Sequence, residues 1–196
     1  LAGFLRHQGY RTVCVHPYPA SFYARDVVFP LLGFDEFIDI RSFENAEKTG
    51  PYIADVALAE KVCALLGDSP SQPIFVFVIT MENHGPLHLE KSLPGDVERL
   101  YSSPPPNGCD DLTVYLRHLG NADRMAGMLR NRLEEIPGNN WLCWFGDHVP
   151  IMPSVYRALG TPDGKTDYVI WEKGGNLRGE NRLDLEVNNL GCLLLA

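Results

Sequence analysis

Apolar positions change their period several times along the chain. Residues 2–8 carry a short helical pattern closed by Gly9, and residues 10–16 alternate and include β-branched side chains, as a strand requires. A short helix is expected over 22–31, stopping near Pro30 and Gly33, followed by a short strand over 37–40. Between 52 and 66, Ile53, Val56, Ala57, Ala59 or Glu60, Val62, Cys63 and Leu66 recur at helical spacing, with Gly67 as the cap. Ile74-Phe75-Val76-Phe77-Val78-Ile79 then offers no polar face, which predicts a central parallel strand covered on both sides.

Residues 81–110 show no period, and Ser102-Ser103-Pro104-Pro105-Pro106-Asn107-Gly108 reads as surface loop. Asp110 or Asp111 is expected to cap a long helix with the stripe Leu112, Tyr115, Leu116, Leu119, Met125, Met128, Leu129 and Leu133, ended by Pro137-Gly138. Strands over 141–145 and 168–171, a short helix over 153–159 and a closing helix over 183–195 complete the pattern. This alternation predicts an α/β fold over residues 1–196, a single domain whose mainly parallel central sheet is flanked by helices on both faces. In such sheets ligands gather at the carboxyl ends of the strands.

Composition narrows the function classes. With 25 acidic against 17 basic residues the net charge is −8, so there is no basic surface to neutralise a run of phosphates, and nucleic acid is set aside as a partner. The longest apolar run, 73–81, falls far short of the ~20 residues that cross a bilayer. Cys14, Cys63, Cys109, Cys143 and Cys192 form no CxxC pair, which argues against a disulfide framework or structural zinc site. Most of them are expected to pack as small hydrophobes.

Three segments put chemically capable residues directly after a predicted strand. Gly146-Asp147-His148 places a carboxylate beside an imidazole, a donor pair that suits Zn²⁺ or Mn²⁺ and, in a carboxylate-rich shell, Mg²⁺ or Ca²⁺. A cap or surface hydrogen bond is the competing reading. Thr80-Met81-Glu82-Asn83-His84-Gly85-Pro86-Leu87-His88 packs an acid, an amide and two imidazoles behind the most apolar strand. There His84 can donate to or protonate an ester oxygen, with Asn83 orienting it; a hydrogen-bonded loop histidine is the alternative. After the first strand, His16 to Asp26 is aromatic and basic: Arg25 can clamp a phosphate or sulfate while Tyr23 stacks under a sugar or glycerol, or Arg25 can pair with Asp26 or Asp35 on the surface.

Together, His-x-x-x-x-Ser-Phe-Tyr-x-Arg-Asp from His16, Leu32-Gly33-Phe34-Asp35-Glu36-Phe37, Thr80 to Pro86, and Trp144-Phe145-Gly146-Asp147-His148 resemble the lipoteichoic acid synthase branch of the sulfatase/alkaline phosphatase superfamily. The resemblance implies an alkaline phosphatase-like fold, incomplete at its N-terminal side. It also implies Asp147 and His148 as ligands of a divalent metal, His84 as the group that meets the phosphoryl oxygen, and Tyr23 and Arg25 as contacts to glycerol phosphate. The family usually has Trp where Tyr23 stands. By the same resemblance a further acidic ligand and a Thr, Ser or Cys nucleophile lie upstream of Leu1, so the chain is expected to be the later part of a larger catalytic domain with little activity alone. The implied reaction is metal-dependent hydrolysis or transfer of a phosphate or sulfate ester. Its expected substrate is a phosphoglycerol-bearing glycolipid or polysaccharide of the cell envelope, outside the cytoplasmic membrane. The alternative is a non-catalytic relative that binds an anion or sugar. GxSxG, HExxH, P-loop and Rossmann glycine signatures are absent from the sequence.

Overall fold

The computed structural model describes residues 1–67, 72–175 and 183–195. In chain order the regular elements are α1 (Ala2–His7), β1 (Arg11–Val15), α2 (Arg25–Leu31), β2 (Glu36–Ile38), β3 (Lys48–Thr49), β4 (Tyr52–Ile53) and α3 (Asp55–Gly67). They continue with β5 (Ile74–Val78), α4 (Asp96–Leu100), α5 (Asp110–Glu135), β6 (Trp141–Phe145), α6 (Pro153–Leu159), β7 (Tyr168–Glu172) and α7 (Leu190–Leu195).

β1 forms parallel ladders with β2 and β5, giving the order β2-β1-β5 with Val13 opposite Val76 and Cys14 opposite Phe77. Because side chains alternate across the sheet, the two apolar faces take different partners. Val13, Val15, Ile38, Val76 and Val78 pack with Leu58, Val62, Met125 and Leu129, so α3 and α5 cover one face. Cys14, Phe37, Phe75 and Phe77 pack with Ala2, Phe29 and Phe34, so α1 and α2 cover the other. Helices on both faces of a parallel sheet are what the sequence pattern predicted. A satellite cluster of Leu87, Cys109, Val114, Met152 and Val155 lies under the 86–101 segment and α6.

Several expectations are corrected. β5 is parallel but has one ladder neighbour among the described residues; the expected central strand is an edge strand, half-buried along its whole length. β6 is half-buried to exposed and pairs antiparallel with β7, outside the parallel ladder. The small β3-β4 hairpin and the helix α4, inside the stretch that shows no period, carry too few residues for a period to register. Along α5 the predicted stripe holds in the C-terminal half, where Met125, Leu129 and Leu133 are buried, but fails in the N-terminal half. There Thr113 and His118 are buried and Leu119 is exposed. The cause is tertiary: Tyr101 pairs with the Thr113 hydroxyl at 3.1 Å and Glu90 with His118 Nε2 at 3.1 Å, so the segment that covers this half brings polar partners. All five cysteines are free thiols.

Candidate functional site

β1 and β5 run parallel with Val15 opposite Val78, so the loops that follow them leave the same edge of the sheet. The first loop starts with His16, which is fully buried. Its Nδ1 lies 3.1 Å from the Ile79 carbonyl, which only accepts, so the ring proton sits on Nδ1 and Nε2 is left as an acceptor without a partner. Burial foremost, then the nearby positive charges of Arg25 and His84, hold this imidazole below its ordinary pKa. Both residues are therefore electrostatic neighbours of His16.

Beyond His16 the chain forms a tight turn, Phe22–Ala24, in which Tyr23 and Ala24 have φ of 56° and 50°. Left-handed backbone at non-glycine residues is costly, about 1–3 kcal/mol each, and such strain collects at functional sites. The turn delivers Arg25 at the start of α2, where its guanidinium lies 5.4 Å from the ring centroids of both Phe22 and Tyr23. Nη1 of Arg25 is buried without a hydrogen-bond partner. The surface pair with Asp35 does not form: that carboxylate accepts from the Thr12 N–H at 2.9 Å, which, ahead of the lesser pull of Arg6 and Arg11, holds it below the ordinary range. Tyr23 itself is exposed.

The loop after β5 is anchored from below. Glu82 is 1% exposed; its carboxylate accepts from the Asp55 N–H at 2.7 Å and from the Asn121 amide. Asn83 Oδ1 is a buried acceptor with no partner. His84 Nδ1 lies 2.8 Å from the Gly85 carbonyl, which also accepts from the Tyr52 hydroxyl at 3.1 Å. Rings of His16, Tyr18, Tyr52 and His84 follow one another at 5.9, 6.3 and 6.0 Å. A continuous row of rings, buried at His16, thus runs from the first loop to the second.

Asp147 and His148 leave the end of β6. Gly146 is pressed against Thr166, whose hydroxyl donates to the Gly146 carbonyl at 2.6 Å, and a Cβ there would crowd the Thr166 side chain. Both side chains are open to solvent, with Asp147 Oδ2 and His148 Nε2 3.7 Å apart. His148 Nδ1 is 2.9 Å from the Val149 carbonyl, leaving Nε2 as the free ring nitrogen. One cation can meet both atoms. Among the described residues no group of three or more His, Cys, Asp or Glu gathers to hold a metal, and no hydrogen bond, ion pair or ring contact joins this pair to His84 or Arg25. Because β6 is outside the parallel ladder, strand register does not fix its loop relative to the other two.

His16, Tyr52 and Glu82 are the contributors for which the sequence suggested no role. His16 opens an aromatic stretch and so carries a signal; Tyr52 sits at the foot of a helical pattern and carries none.

The sulfatase family matches residues 1–190. The capsular polysaccharide biosynthesis protein RkpI of Rhizobium meliloti is 33% identical over 170 residues, which cover 86% of this chain and 29% of that protein. The Streptococcus pyogenes phosphoglycerol transferase GacH, solved with sn-glycerol-1-phosphate, superposes with a TM-score of 0.68 at 24% identity, over 88% of this chain and 46% of that one. The Listeria monocytogenes lipoteichoic acid synthase LtaP gives 0.62 at 26% identity, over 75% and 36%. The chain thus spans less than a third of RkpI and less than half of either solved chain. A protein in the alkaline phosphatase superfamily from Vibrio parahaemolyticus superposes with a TM-score of 0.61 at 19% identity, over 88% of this chain and 40% of that one, which bears out the alkaline phosphatase-like α/β fold.

Proposed function

This chain belongs to the sulfatase family, and we propose that it carries the anion-binding part of an enzyme that hydrolyses or transfers a phosphate or sulfate ester. We place it as one α/β domain that is the later part of a larger catalytic domain. The observation that supports this most is the set of unpartnered buried polar atoms on one sheet edge: His16 Nε2, Arg25 Nη1 and Asn83 Oδ1, with His84 beside them. Buried polar groups are normally satisfied, and orphans that belong to neighbouring loops imply a ligand that satisfies them. An ester anion fits: its oxygens accept from Arg25 and from protonated His84, while a glycerol or sugar hydroxyl can donate to Asn83 Oδ1 or His16 Nε2. Tyr23, exposed beside Arg25, is placed to lie along the glycerol or sugar part.

In this reading Asp147 and His148 hold a divalent metal, Mn²⁺, Mg²⁺, Zn²⁺ or Ca²⁺, of which they supply part of the shell. The 3.7 Å separation of Oδ2 and Nε2 fits two ligands of one ion. When bound, the metal neutralises charge on the transferring group. Arg25 orients the anion through its planar fork, and His84 moves a proton to or from an ester oxygen. The likeness to RkpI, LtaP and GacH supports a cell-envelope glycolipid or polysaccharide bearing phosphoglycerol as the substrate, handled outside the cytoplasmic membrane. No described helix is long and apolar enough to cross a membrane. A second reading, an anion- or sugar-binding relative without turnover, draws on the two-residue metal pair.

Calorimetric titration of the chain with inorganic phosphate, sulfate and glycerol phosphate tests the anion site. Saturable binding that Arg25→Ala weakens about 10- to 100-fold, the worth of a charged hydrogen bond, is the expected result. Binding that is absent, or indifferent to both Arg25→Ala and His84→Ala, overturns it.

A further inference from the structure

His84 sits in a loop held at three points that the proposed chemistry does not use. The turn itself is closed by the His84 N–H donating to the Met81 carbonyl at 2.9 Å. Two residues before His84, the buried Glu82 carboxylate joins two long helices, taking the Asp55 N–H at the start of α3 at 2.7 Å and the Asn121 amide in the middle of α5. One residue beyond His84, the Gly85 carbonyl accepts from the Tyr52 hydroxyl at 3.1 Å and meets His84 Nδ1 at 2.8 Å. The Tyr52 ring stands edge-on to the imidazole, with centroids 6.0 Å apart and planes at 78°.

The chemistry of that carbonyl decides the tautomer. A carbonyl oxygen only accepts, so the contact with Nδ1 is a hydrogen bond only when the proton is on Nδ1. In the neutral ring Nε2 is then the lone-pair nitrogen, and in the charged ring it is the outward donor. A carbonyl has two acceptor directions; Tyr52 occupies one, which leaves the other aimed at the imidazole. Glu82 fixes the turn from which both His84 and Gly85 emerge, so its carboxylate sets where that carbonyl lies.

We propose that Tyr52 and Glu82 are positioning residues that fix His84 with its proton on Nδ1 and leave Nε2 as the nitrogen that meets a ligand oxygen. The assignment of His84 to a ligand rests on the function proposed above; the tautomer and its two supports do not. Neither residue touches the ligand. Tyr52 acts through the Gly85 carbonyl, and Glu82 acts through the loop backbone.

The test is ¹⁵N NMR of the chain labelled at histidine, at about pH 7.5, where an ordinary imidazole is largely neutral, with His84→Gln to assign the resonances. Long-range ¹H–¹⁵N couplings distinguish the two tautomers. The wild-type His84 ring is expected to show the Nδ1–H form, with both tautomers in exchange in Tyr52→Phe and Glu82→Ala, and the single form restored in Glu82→Gln, which keeps an acceptor for the Asp55 N–H. Should Glu82→Ala fail to fold, judged by circular dichroism, Tyr52→Phe and Asn121→Ala carry the comparison. Inorganic phosphate is titrated into each folded protein at about pH 5.5, where an ordinary imidazole is largely charged and Nε2 donates. The positioning variants, which lose the Nδ1–H bond that orients the ring, should bind it about two- to tenfold more weakly, the worth of one neutral hydrogen bond. A wild-type ring with its proton on Nε2, or folded variants that keep both tautomer and affinity, overturns the proposal. A tautomer that is lost in the variants while phosphate moves no His84 resonance upholds the positioning and counts against the anion site alone.

Discussion

At the residue scale, burial and charge act on Asp55 more than on any nearby carboxyl. Its side chain is fully buried, neither oxygen has a partner, and Glu82 lies beside it. Burial first, and the Glu82 charge second, push its pKa up from 3.8 to about 7. A carboxyl whose folded pKa is raised favours the folded state while it keeps its proton. That stability is fully present below 3.8 and is lost progressively as pH rises through about 7, to a total of roughly 4 kcal/mol at most. Melting temperatures of wild type and Asp55→Asn, compared from about pH 5 to about pH 8, should diverge in favour of Asn as pH rises; parallel curves would refute the buried pair. The same physics makes Cys14 inert. Burial pushes its thiol to about 12, whereas Cys192 is exposed, so a thiol reagent should label Cys192 far ahead of Cys14, as peptide mass mapping reads. The sequence displayed Asp147, His148, His84 and Arg25 because each follows a strand or sits in a dense polar run. Asp55 and Tyr52 were not legible, since their partners are 27 and 33 positions away.

Elements show where periodicity suffices and where it stops. The C-terminal half of α5 packs against the sheet with its apolar stripe, which is visible in the chain. α3 instead turns Leu58, Ala59, Val62 and Leu65 inward, while Val56, Ala57, Cys63 and Leu66 of its expected stripe are only half-buried, because a helix rich in apolar residues on several sides does not announce which side the sheet takes. Met125 of α5 is fully buried, so Met125→Ala should destabilise by about 2–5 kcal/mol in denaturant unfolding. A loss under about 1 kcal/mol would mean that α5 is not packed as described. The N-terminal half of α5 instead carries an ionic lattice, Arg117 donating to Asp96 at 2.9 Å and to Glu90 at 3.0 Å, with His118 against Glu90. Arg99 adds a further bond to Asp96 at 2.8 Å. No local pattern announces such a lattice, because each partner lies in a segment that has no period of its own. Gly33 is the opposite case. With φ of 95° and its missing Cβ directed onto the Gly3 backbone, it lets the turn after α2 press against α1, and the turn was readable from the glycine alone.

For the whole molecule the open question is whether two half-sites act as one. Parallel register puts the His16 and His84 loops on one edge, whereas Asp147 and His148 follow a strand that pairs with β7 alone among the described residues. The sequence could show three strand-end motifs in order but not how the third strand is laid against the first two, because ladder partners are non-local. Packing gives a partial answer: Leu142 and Trp144 of β6 join the same cluster as Val76 and Val78 of β5, so β6 lies on the α3/α5 side of the core. If the loop after β6 reaches the same edge, a cation on Asp147 and His148 places positive charge near an anion on Arg25 and His84, and the two ligands assist each other reciprocally. Two protein ligands hold a metal weakly, since sites normally draw three or more. Mn²⁺ alone should therefore bind with low affinity, and inorganic phosphate should bind about 5- to 150-fold more tightly with Mn²⁺ present than without it, as expected for a coupling of about 1–3 kcal/mol. His148→Ala should abolish the enhancement and leave metal-free phosphate binding intact, while Arg25→Ala should weaken phosphate in both conditions. Calorimetry with a metal-phosphate precipitation control reads all six combinations of the three proteins with and without Mn²⁺. Equal phosphate affinity with and without Mn²⁺ would show that the Gly146-Asp147-His148 loop stands apart from the anion site, and the shared ester site proposed for this chain would fall.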